Sequence, residues 1–128
     1  EITTGSGHIL LVDDEEMLIE MGQSMLERLG YQVTTRTSSL DALTTFQNDP
    51  HHFDAVITDQ TMPGMTGLDL ARRLLQIRPE LPIILCTGYS NLVNETQARA
   101  YGIKGFAMKP LTKREVATRL REVMKGGE

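Results

Sequence analysis

Five polar residues of this 128-residue chain stand directly after short apolar runs, where their side chains could do chemistry together. They are Asp13, Asp14, Asp59, Thr87 and Lys109. Carboxylates are hard oxygen ligands that suit Mg²⁺, which keeps several waters and takes one or two carboxylates together with a phosphate. Three carboxylates held close together repel one another and raise each other's pKa unless a cation lies among them. If the fold gathers these residues, they predict a magnesium site.

A carboxylate beside bound Mg²⁺ can act as a nucleophile and accept a phosphoryl group as an aspartyl phosphate. Asp59 is the best candidate for that nucleophile because it is the single acid after its apolar run. Asp13 and Asp14 are adjacent acids and are the better candidates for metal ligands. The Lys109 ammonium would offset charge on the transferring phosphoryl oxygens, and the Thr87 hydroxyl would donate to one of them. The residue types therefore predict phosphoryl transfer to Asp59.

Each of these stretches also has an ordinary structural explanation when it is taken alone. Acids such as Asp13 and Asp14 suit the positive end of a helix dipole, and Asp59 before a Pro-Gly turn would cap that turn. Thr87 and Lys109 are each followed by a residue typical of loops. These explanations are nearly independent of one another. If all of these residues lie at one place in the fold, chance is a poor explanation and the chemical interpretation is favoured.

Strand-like and helix-like patterns alternate five times along the chain. The predicted strands cover residues 8–12, 31–36, 55–58, 82–86 and 105–108. The predicted helices cover about 15–29, 38–48, 66–78, 91–101 and the residues from 112 onward. This alternation is typical of an α/β fold, in which helices cover both faces of a parallel sheet.

Apolar spacing and capping residues predict the faces and ends of these helices. The expected buried face of the first helix comprises Leu18, Met21, Met25 and Leu29. That of the last helix comprises Val116, Leu120, Val123 and Met124. Gly30 is placed to end the first helix, and Thr66 and Thr112, each followed three residues later by an acid, are placed to cap the third and fifth helices.

The polarity of the strands predicts their order in the sheet. The first, third and fourth strands are continuously apolar, as expected for strands that are covered on both faces. The second strand is half polar and the fifth is short, so each suits an edge. The order 2-1-3-4-5 satisfies both conditions. In such sheets a ligand binds beyond the carboxyl ends of the strands where the winding reverses, here between strands one and three.

Composition and charge exclude several classes of protein. The net charge of −4 argues against a nucleic-acid binder, which needs a basic face. The charge is divided unevenly, because residues 1–71 hold 12 acids and two bases whereas residues 72–128 hold five acids and 11 bases. Apolar runs of four or five residues are too short to span a membrane. The single Cys86 precludes an internal disulfide and fits a reducing compartment.

With these residues in view, the chain resembles the receiver domain of two-component response regulators. The matching stretches are residues 9–15 (ILLVDDE), 56–67 (VITDQTMPGMTG), 82–88 (PIILCTG) and 106–110 (FAMKP). The resemblance extends over residues 8–124. It implies a flavodoxin-like, doubly wound (βα)5 fold for a domain at 8–125, with 1–7 as a linker or expression remnant and 126–128 as a tail.

The resemblance also implies roles for the site residues. Asp59 corresponds to the phospho-acceptor, Asp14 to the direct Mg²⁺ ligand, and Asp13 to a carboxylate that acts largely through metal-bound water. The backbone carbonyl of Thr61 would complete the protein ligands. Lys109 corresponds to the lysine that contacts the phosphate.

Further positions of the family concern switching and loss of the phosphoryl group. Thr87 corresponds to the switch hydroxyl and Phe106 to the switch aromatic, which here lacks the hydroxyl of a tyrosine. The peptide bond before Pro110 is expected to be cis. Thr61 and Tyr89 occupy the two positions that tune dephosphorylation, and neither carries a carboxylate or amide that would orient an attacking water. We therefore expect slow loss of the phosphoryl group.

The function implied by this resemblance is a phosphoryl-accepting switch. A sensor histidine kinase or its phosphotransfer domain would donate to Asp59 and so alter the surface of the fourth helix, fifth strand and fifth helix. The domain would catalyse only its own phosphorylation and dephosphorylation, in the cytoplasm, without direct contact to nucleic acid or membrane. A dimer through the same surface is a further expectation.

Other interpretations remain open at this point. A degenerate receiver that binds partners without phosphorylation would lack an acid or the lysine, and this chain has them all. A Mg²⁺-dependent phosphatase needs a second acid where Thr61 stands, and a nucleotide or flavin binder needs a glycine-rich loop after the first strand. The chain is either a stand-alone regulator or a part of a longer protein, for which a hybrid sensor histidine kinase is the leading hypothesis.

Overall fold

A computed structural model describes residues 5–88 and 94–125 of the chain, and the predicted five-fold alternation of strand and helix is confirmed. The strands are β1 (His8–Val12), β2 (Gln32–Arg36), β3 (Ala55–Asp59), β4 (Ile83–Thr87) and β5 (Gly105–Met108). The helices are α1 (Glu16–Arg28), α2 (Ser39–Asn48), α3 (Gly67–Ile77), α4 (Glu95–Ala100) and α5 (Lys113–Lys125). The predicted tail and the first four residues of the predicted linker lie outside the described residues.

The five strands form one parallel sheet in the order β2-β1-β3-β4-β5, which confirms the predicted topology. β3 and β4 are buried along their whole length because helices cover both of their faces. β2 at one edge is only half-buried, and the four-residue β5 at the other edge alternates between buried and half-buried residues. The polarity of each strand thus matches its place in the sheet.

Two apolar cores lie on opposite faces of this sheet, because successive side chains of a strand point to opposite sides. The core under α2, α3 and α4 includes Leu10, Val12, Phe46, Leu70, Leu85 and Ala98. The core under α1 and α5 includes Ile9, Leu11, Leu26, Ile57, Val116 and Leu120. Both cores fix the strands in register and so fix the residues at the carboxyl edge of the sheet.

The predicted buried face of α1 is wrong in part. The predicted Leu29 is fully buried, but Met21 is 58% exposed and Leu18 and Met25 are only half-buried, and Ile19 and Leu26 are buried in their place. Gly22 lies between Ile19 and Leu26 on this side of α1, and an added Cβ there would lie 2.9 Å from a methyl carbon of Leu11. A glycine contributes no apolar side chain to the sequence pattern, so the neighbouring stripe of Leu18, Met21 and Met25 was the more visible one.

The expected caps define the ends of the helices. The Thr66 hydroxyl accepts from the Asp69 backbone N–H at 3.2 Å, and Thr112 does the same for Glu115 at 3.1 Å. Gly30 follows α1 with a φ of +106°, a conformation that suits glycine. Within residues 5–88 and 94–125, no helix combines the length and the apolar character that crossing a membrane requires.

Candidate metal and nucleophile site at the carboxyl edge of the sheet

Three carboxylates meet beyond the carboxyl ends of β1 and β3. Asp13 and Asp14 directly follow β1, and Asp59 is the last residue of the neighbouring β3. One oxygen of each carboxylate lies within 4.8 Å of the others. The Asp59 side chain is 7% exposed and that of Asp13 is 12% exposed, whereas Asp14 faces solvent. The buried nucleophile candidate therefore lies behind an acid that remains accessible.

Lys109 brings a positive charge to the same place from the end of β5. Its Nζ lies 3.2 Å from Asp59 Oδ1 and 3.5 Å from Asp13 Oδ2. The backbone N–H of Lys109 donates to the Thr87 carbonyl at 2.9 Å, which anchors the lysine to β4. The Lys109–Pro110 peptide bond is cis. The carboxyl ends of β3 and β5, which lie about 50 residues apart in the sequence, thus meet at Asp59.

Burial and charge act on this cluster in opposing directions. Burial raises the pKa of Asp59, the Asp13 carboxylate raises it further, and the Lys109 ammonium only partly offsets these effects. Burial alone would lower the pKa of Lys109, but the Asp59 and Asp13 carboxylates outweigh it and raise that pKa. Three acids against one base leave an excess of negative charge, which an added cation would relieve.

The donor set suits a hard divalent cation. All three side chains offer oxygen, and Mg²⁺ and Ca²⁺ both prefer oxygen ligands. Across residues 5–88 and 94–125, these three acids form the one cluster of at least three metal-ligating side chains close enough to share an ion. Asp13 is further oriented by the backbone N–H of Glu15, which donates to its Oδ1 at 3.0 Å. The three carboxylates are therefore close enough to share one metal ion.

The loop after Asp59 carries Thr61, whose side chain is exposed. The loop returns to α3 through Gly67, which packs directly against the backbone of Asp59. An added Cβ on Gly67 would lie 2.1 Å from the Asp59 carbonyl oxygen. The start of α3 therefore fits against the end of β3 only because residue 67 has no side chain.

Replacing Gly67 by Ala is expected to destabilise the domain by about 3 kcal/mol, because either the Asp59 backbone or α3 must move. The matched control is Gly88→Ala, since an added Cβ on Gly88 meets nothing within 4 Å. That control should change the free energy of unfolding by no more than about 0.5 kcal/mol. Urea denaturation of the wild type and both variants measures these changes in the free energy of unfolding. Equal changes in the two variants would contradict the close packing at Gly67.

The predicted switch residues Thr87 and Phe106 line one cavity of about 220 Å³ between α4, β5 and α5. Thr87 is buried at the end of β4, and Phe106 is half-buried on β5. The Arg99 guanidinium carbon lies 4.8 Å from the centre of the Phe106 ring, and Arg119 Nε donates to the Phe106 carbonyl at 3.0 Å. Tyr89, the other residue predicted to tune dephosphorylation, lies outside the described residues.

Replacing Asp59 by Asn is expected to raise the melting temperature of the metal-free domain by a few degrees at pH 7. Because the pKa of Asp59 is higher in the folded state, the folded protein binds more protons there than the unfolded chain does. Wild-type stability therefore falls as the pH rises from the unfolded pKa of Asp59 through its folded pKa. In thermal melts in EDTA between about pH 4 and pH 7, the melting temperature of the variant should exceed that of the wild type by an amount that grows with pH. A difference in melting temperature that is constant or reversed would contradict the raised pKa of Asp59.

Two polar residues near the site were not singled out from the sequence. Gln60 hydrogen-bonds through its side chain to α3, and the buried Ser39 donates to the Met65 carbonyl at 2.7 Å. Gln60 thus ties the end of β3 to the first turn of α3, and Ser39 holds the backbone of the loop between them. Neither has a spacing or a neighbour in the sequence that would have indicated such a role.

Comparison with known proteins identifies the family to which this fold and site belong. The family model of the response regulator receiver domain matches residues 9–121. The chain belongs to this family, whose members are switches of two-component signalling rather than classical enzymes and which interact with histidine kinases or phosphotransfer partners.

The chain is similar to several named members of the family. It is 29% identical over 117 residues to the response regulator SaeR of Staphylococcus aureus strain USA300, covering 91% of this chain and 50% of SaeR. The chain thus spans about half the length of the curated relatives it matches. A receiver domain protein from Clostridium thermocellum superposes with a TM-score of 0.89 at 30% identity, covering 94% of this chain and 95% of that one. The chemotaxis protein CheY4 of Vibrio cholerae superposes with a TM-score of 0.82 at 26% identity, covering 93% and 99%.

Proposed function

We propose that this domain is a phosphoryl-accepting switch in which Asp59 takes a phosphoryl group from a phosphohistidine with the help of Mg²⁺. The observation that carries the proposal is the buried Asp59 carboxylate, which has the Lys109 ammonium 3.2 Å away and two further acids within reach of one metal ion. This set supports acceptance at Asp59 over a degenerate receiver, which would lack one of its members.

The transfer would proceed by attack of an Asp59 carboxylate oxygen on phosphorus. The new P–O bond forms as the P–N bond to the donor imidazole breaks, and the imidazole keeps the electron pair of that bond. Lys109 already contacts Asp59 Oδ1 and would move its charge toward the arriving phosphoryl oxygens. Thr87 would donate its hydroxyl to another of those oxygens. Asp13, Asp14 and the Thr61 carbonyl would hold Mg²⁺, which supplies charge that offsets the developing negative charge.

The surface beside the site supports docking of a protein donor. Met17 and Met21 are 74% and 58% exposed and lie one turn apart on α1, and neighbouring exposed apolar side chains are typical of interaction sites. Met21 also lines a cavity of about 300 Å³ that reaches Asp59 and Lys109. Methionine adapts its shape to different partners. A histidine kinase or phosphotransfer domain that binds here would place its phosphohistidine close to Asp59.

The output of the switch is proposed to lie on the opposite side of the site. Thr87 and Phe106 share a cavity whose walls come from α4, β5 and α5, so a movement of the Thr87 hydroxyl toward a phosphoryl group would change the space available to Phe106. The α4–β5–α5 surface would then present a different shape and charge to an output partner or to a second copy of the domain.

Incubation with acetyl phosphate followed by intact mass measurement tests the proposed function. We expect a gain of one phosphoryl group in Mg²⁺ and none in EDTA. The product should persist, because Thr61 and Tyr89 offer no carboxylate or amide to orient an attacking water. If no phosphoryl group is gained in Mg²⁺, the domain is instead a degenerate receiver that binds partners without phosphorylation.

A further inference from the structure

Gln60, the residue directly after the acceptor, uses three of its polar groups to join β3 to its surroundings. Its backbone N–H donates to the Cys86 carbonyl at 2.9 Å, which extends the pairing of β3 with β4 by one residue. Its backbone carbonyl accepts from the N–H of Gly67 at 3.0 Å. Its side-chain Oε1 accepts from the N–H of Leu68 at 2.8 Å. Gln60 is thus bonded to β4 on one side and to the first turn of α3 on the other.

These bonds close the loop of residues 61–66 at its base. The first N–H groups of a helix have no partner within the helix, so the Gln60 side chain satisfies one such group of α3. The middle of the loop is held separately, because the Ser39 hydroxyl donates to the Met65 carbonyl and the Met62 side chain is buried. The peptide that follows Gln60 therefore has little freedom to rotate.

We infer that Gln60 is a positioning residue for the metal, because its side-chain bond to α3 holds the Thr61 carbonyl in the direction of the acidic cluster. The inference rests on the proposed function, in which that carbonyl is a metal ligand. Thr61 stands between Gln60, which is bonded to β4 and to α3, and Met62, whose side chain is buried, so its carbonyl has little freedom to move. Groups that orient metal ligands commonly change metal affinity when they are removed.

The competing explanation is that Gln60 only caps α3. The chain offers a matched control for it, because Thr66 also accepts a hydrogen bond from the first turn of α3, at the Asp69 N–H. Thr66→Ala removes a cap from the same helix and leaves the base of the loop intact. A capping role alone would make Gln60→Ala and Thr66→Ala equivalent in Mg²⁺ binding.

Isothermal titration with Mg²⁺ compares the wild type with these two variants. We expect Gln60→Ala to weaken Mg²⁺ binding roughly tenfold and Thr66→Ala to change it by less than about twofold. For Gln60→Ala, the Mg²⁺ concentration that gives half the maximal rate of phosphorylation by acetyl phosphate should then be higher than for the wild type. The maximal rate at saturating Mg²⁺ should stay close to the wild-type value. A shift in the Mg²⁺ requirement without loss of the maximum separates positioning of the metal from general damage to the site.

Unchanged Mg²⁺ affinity in Gln60→Ala, or equal weakening in both variants, would overturn the inference while leaving acceptance at Asp59 intact. A wild type that gains a phosphoryl group with no measurable Mg²⁺ binding would also overturn it. A wild type that neither binds Mg²⁺ nor gains a phosphoryl group would instead contradict the proposed function itself, and the inference with it.

Discussion

Replacement of Asp59 by Asn is expected to lower phosphoryl acceptance from acetyl phosphate by more than about a thousandfold. The amide has nearly the shape of the carboxylate but offers no anionic oxygen to attack phosphorus. Because Asp59 is buried and close to Asp13, loss of its charge should not unfold the domain. Intact mass measured over time in excess Mg²⁺ gives the rate of acceptance for the variant and the wild type.

The control for this experiment is Asp69→Asn, which changes an exposed acid in the first turn of α3 in the same way. It should accept the phosphoryl group at nearly the wild-type rate. Circular dichroism should show that both variants are folded. If Asp59→Asn still gains one phosphoryl group at a comparable rate, the nucleophile is a different residue and the assigned role of Asp59 is wrong.

Replacement of Lys109 by Ala is expected to slow phosphoryl acceptance on the order of a hundredfold while leaving Mg²⁺ binding at least as tight as in the wild type. The ammonium lies 3.2 Å from Asp59 and 3.5 Å from Asp13, so it would compete with a bound metal ion for the same carboxylates. Its removal leaves more negative charge for Mg²⁺ but takes away the cation that would offset charge on the phosphoryl oxygens.

Titration calorimetry and acceptance rates at saturating Mg²⁺ measure the two opposed effects of Lys109→Ala. Lys104→Ala is the matched control, because Lys104 bonds to the Glu80 carbonyl at the amino ends of β4 and β5, the opposite edge of the sheet from the acidic cluster, and should change neither quantity. An acceptance rate in Lys109→Ala equal to that of the wild type would count against the assigned role. Weaker Mg²⁺ binding in Lys109→Ala would also count against it, because Lys109 would then be needed to hold the metal site together.

The fold and the acidic cluster could both be predicted from the sequence because they depend on local patterns. Continuous apolar runs identify central parallel strands, and the order 2-1-3-4-5 follows once the half-polar second strand and the short fifth strand are placed at the edges. Parallel strands all end at the same edge of a sheet. The residues that follow strands one, three and five, among them Asp13, Asp59 and Lys109, were therefore expected to meet, and the structure brings them together.

The features that were missed depend on packing between distant residues. The buried face of α1 was misassigned because Gly22, which packs on Leu11, adds nothing to an apolar pattern. Gln60 and Ser39 bond to backbone groups of α3 and of the loop before it, and such bonds have no characteristic spacing in the sequence. The net effect of burial and Lys109 on the pKa of Asp59 likewise depends on distances that the sequence does not contain.

The most direct measurement of the central claim locates the phosphoryl group within the chain. After reaction with acetyl phosphate in Mg²⁺, reduction with borohydride converts an acyl phosphate of aspartate into a homoserine, which peptide mass spectrometry then places. We predict homoserine at residue 59 in the wild type and at no position in Asp59→Asn. Homoserine at a different acid, or none in a domain that has gained the mass of a phosphoryl group, would contradict Asp59 as the acceptor.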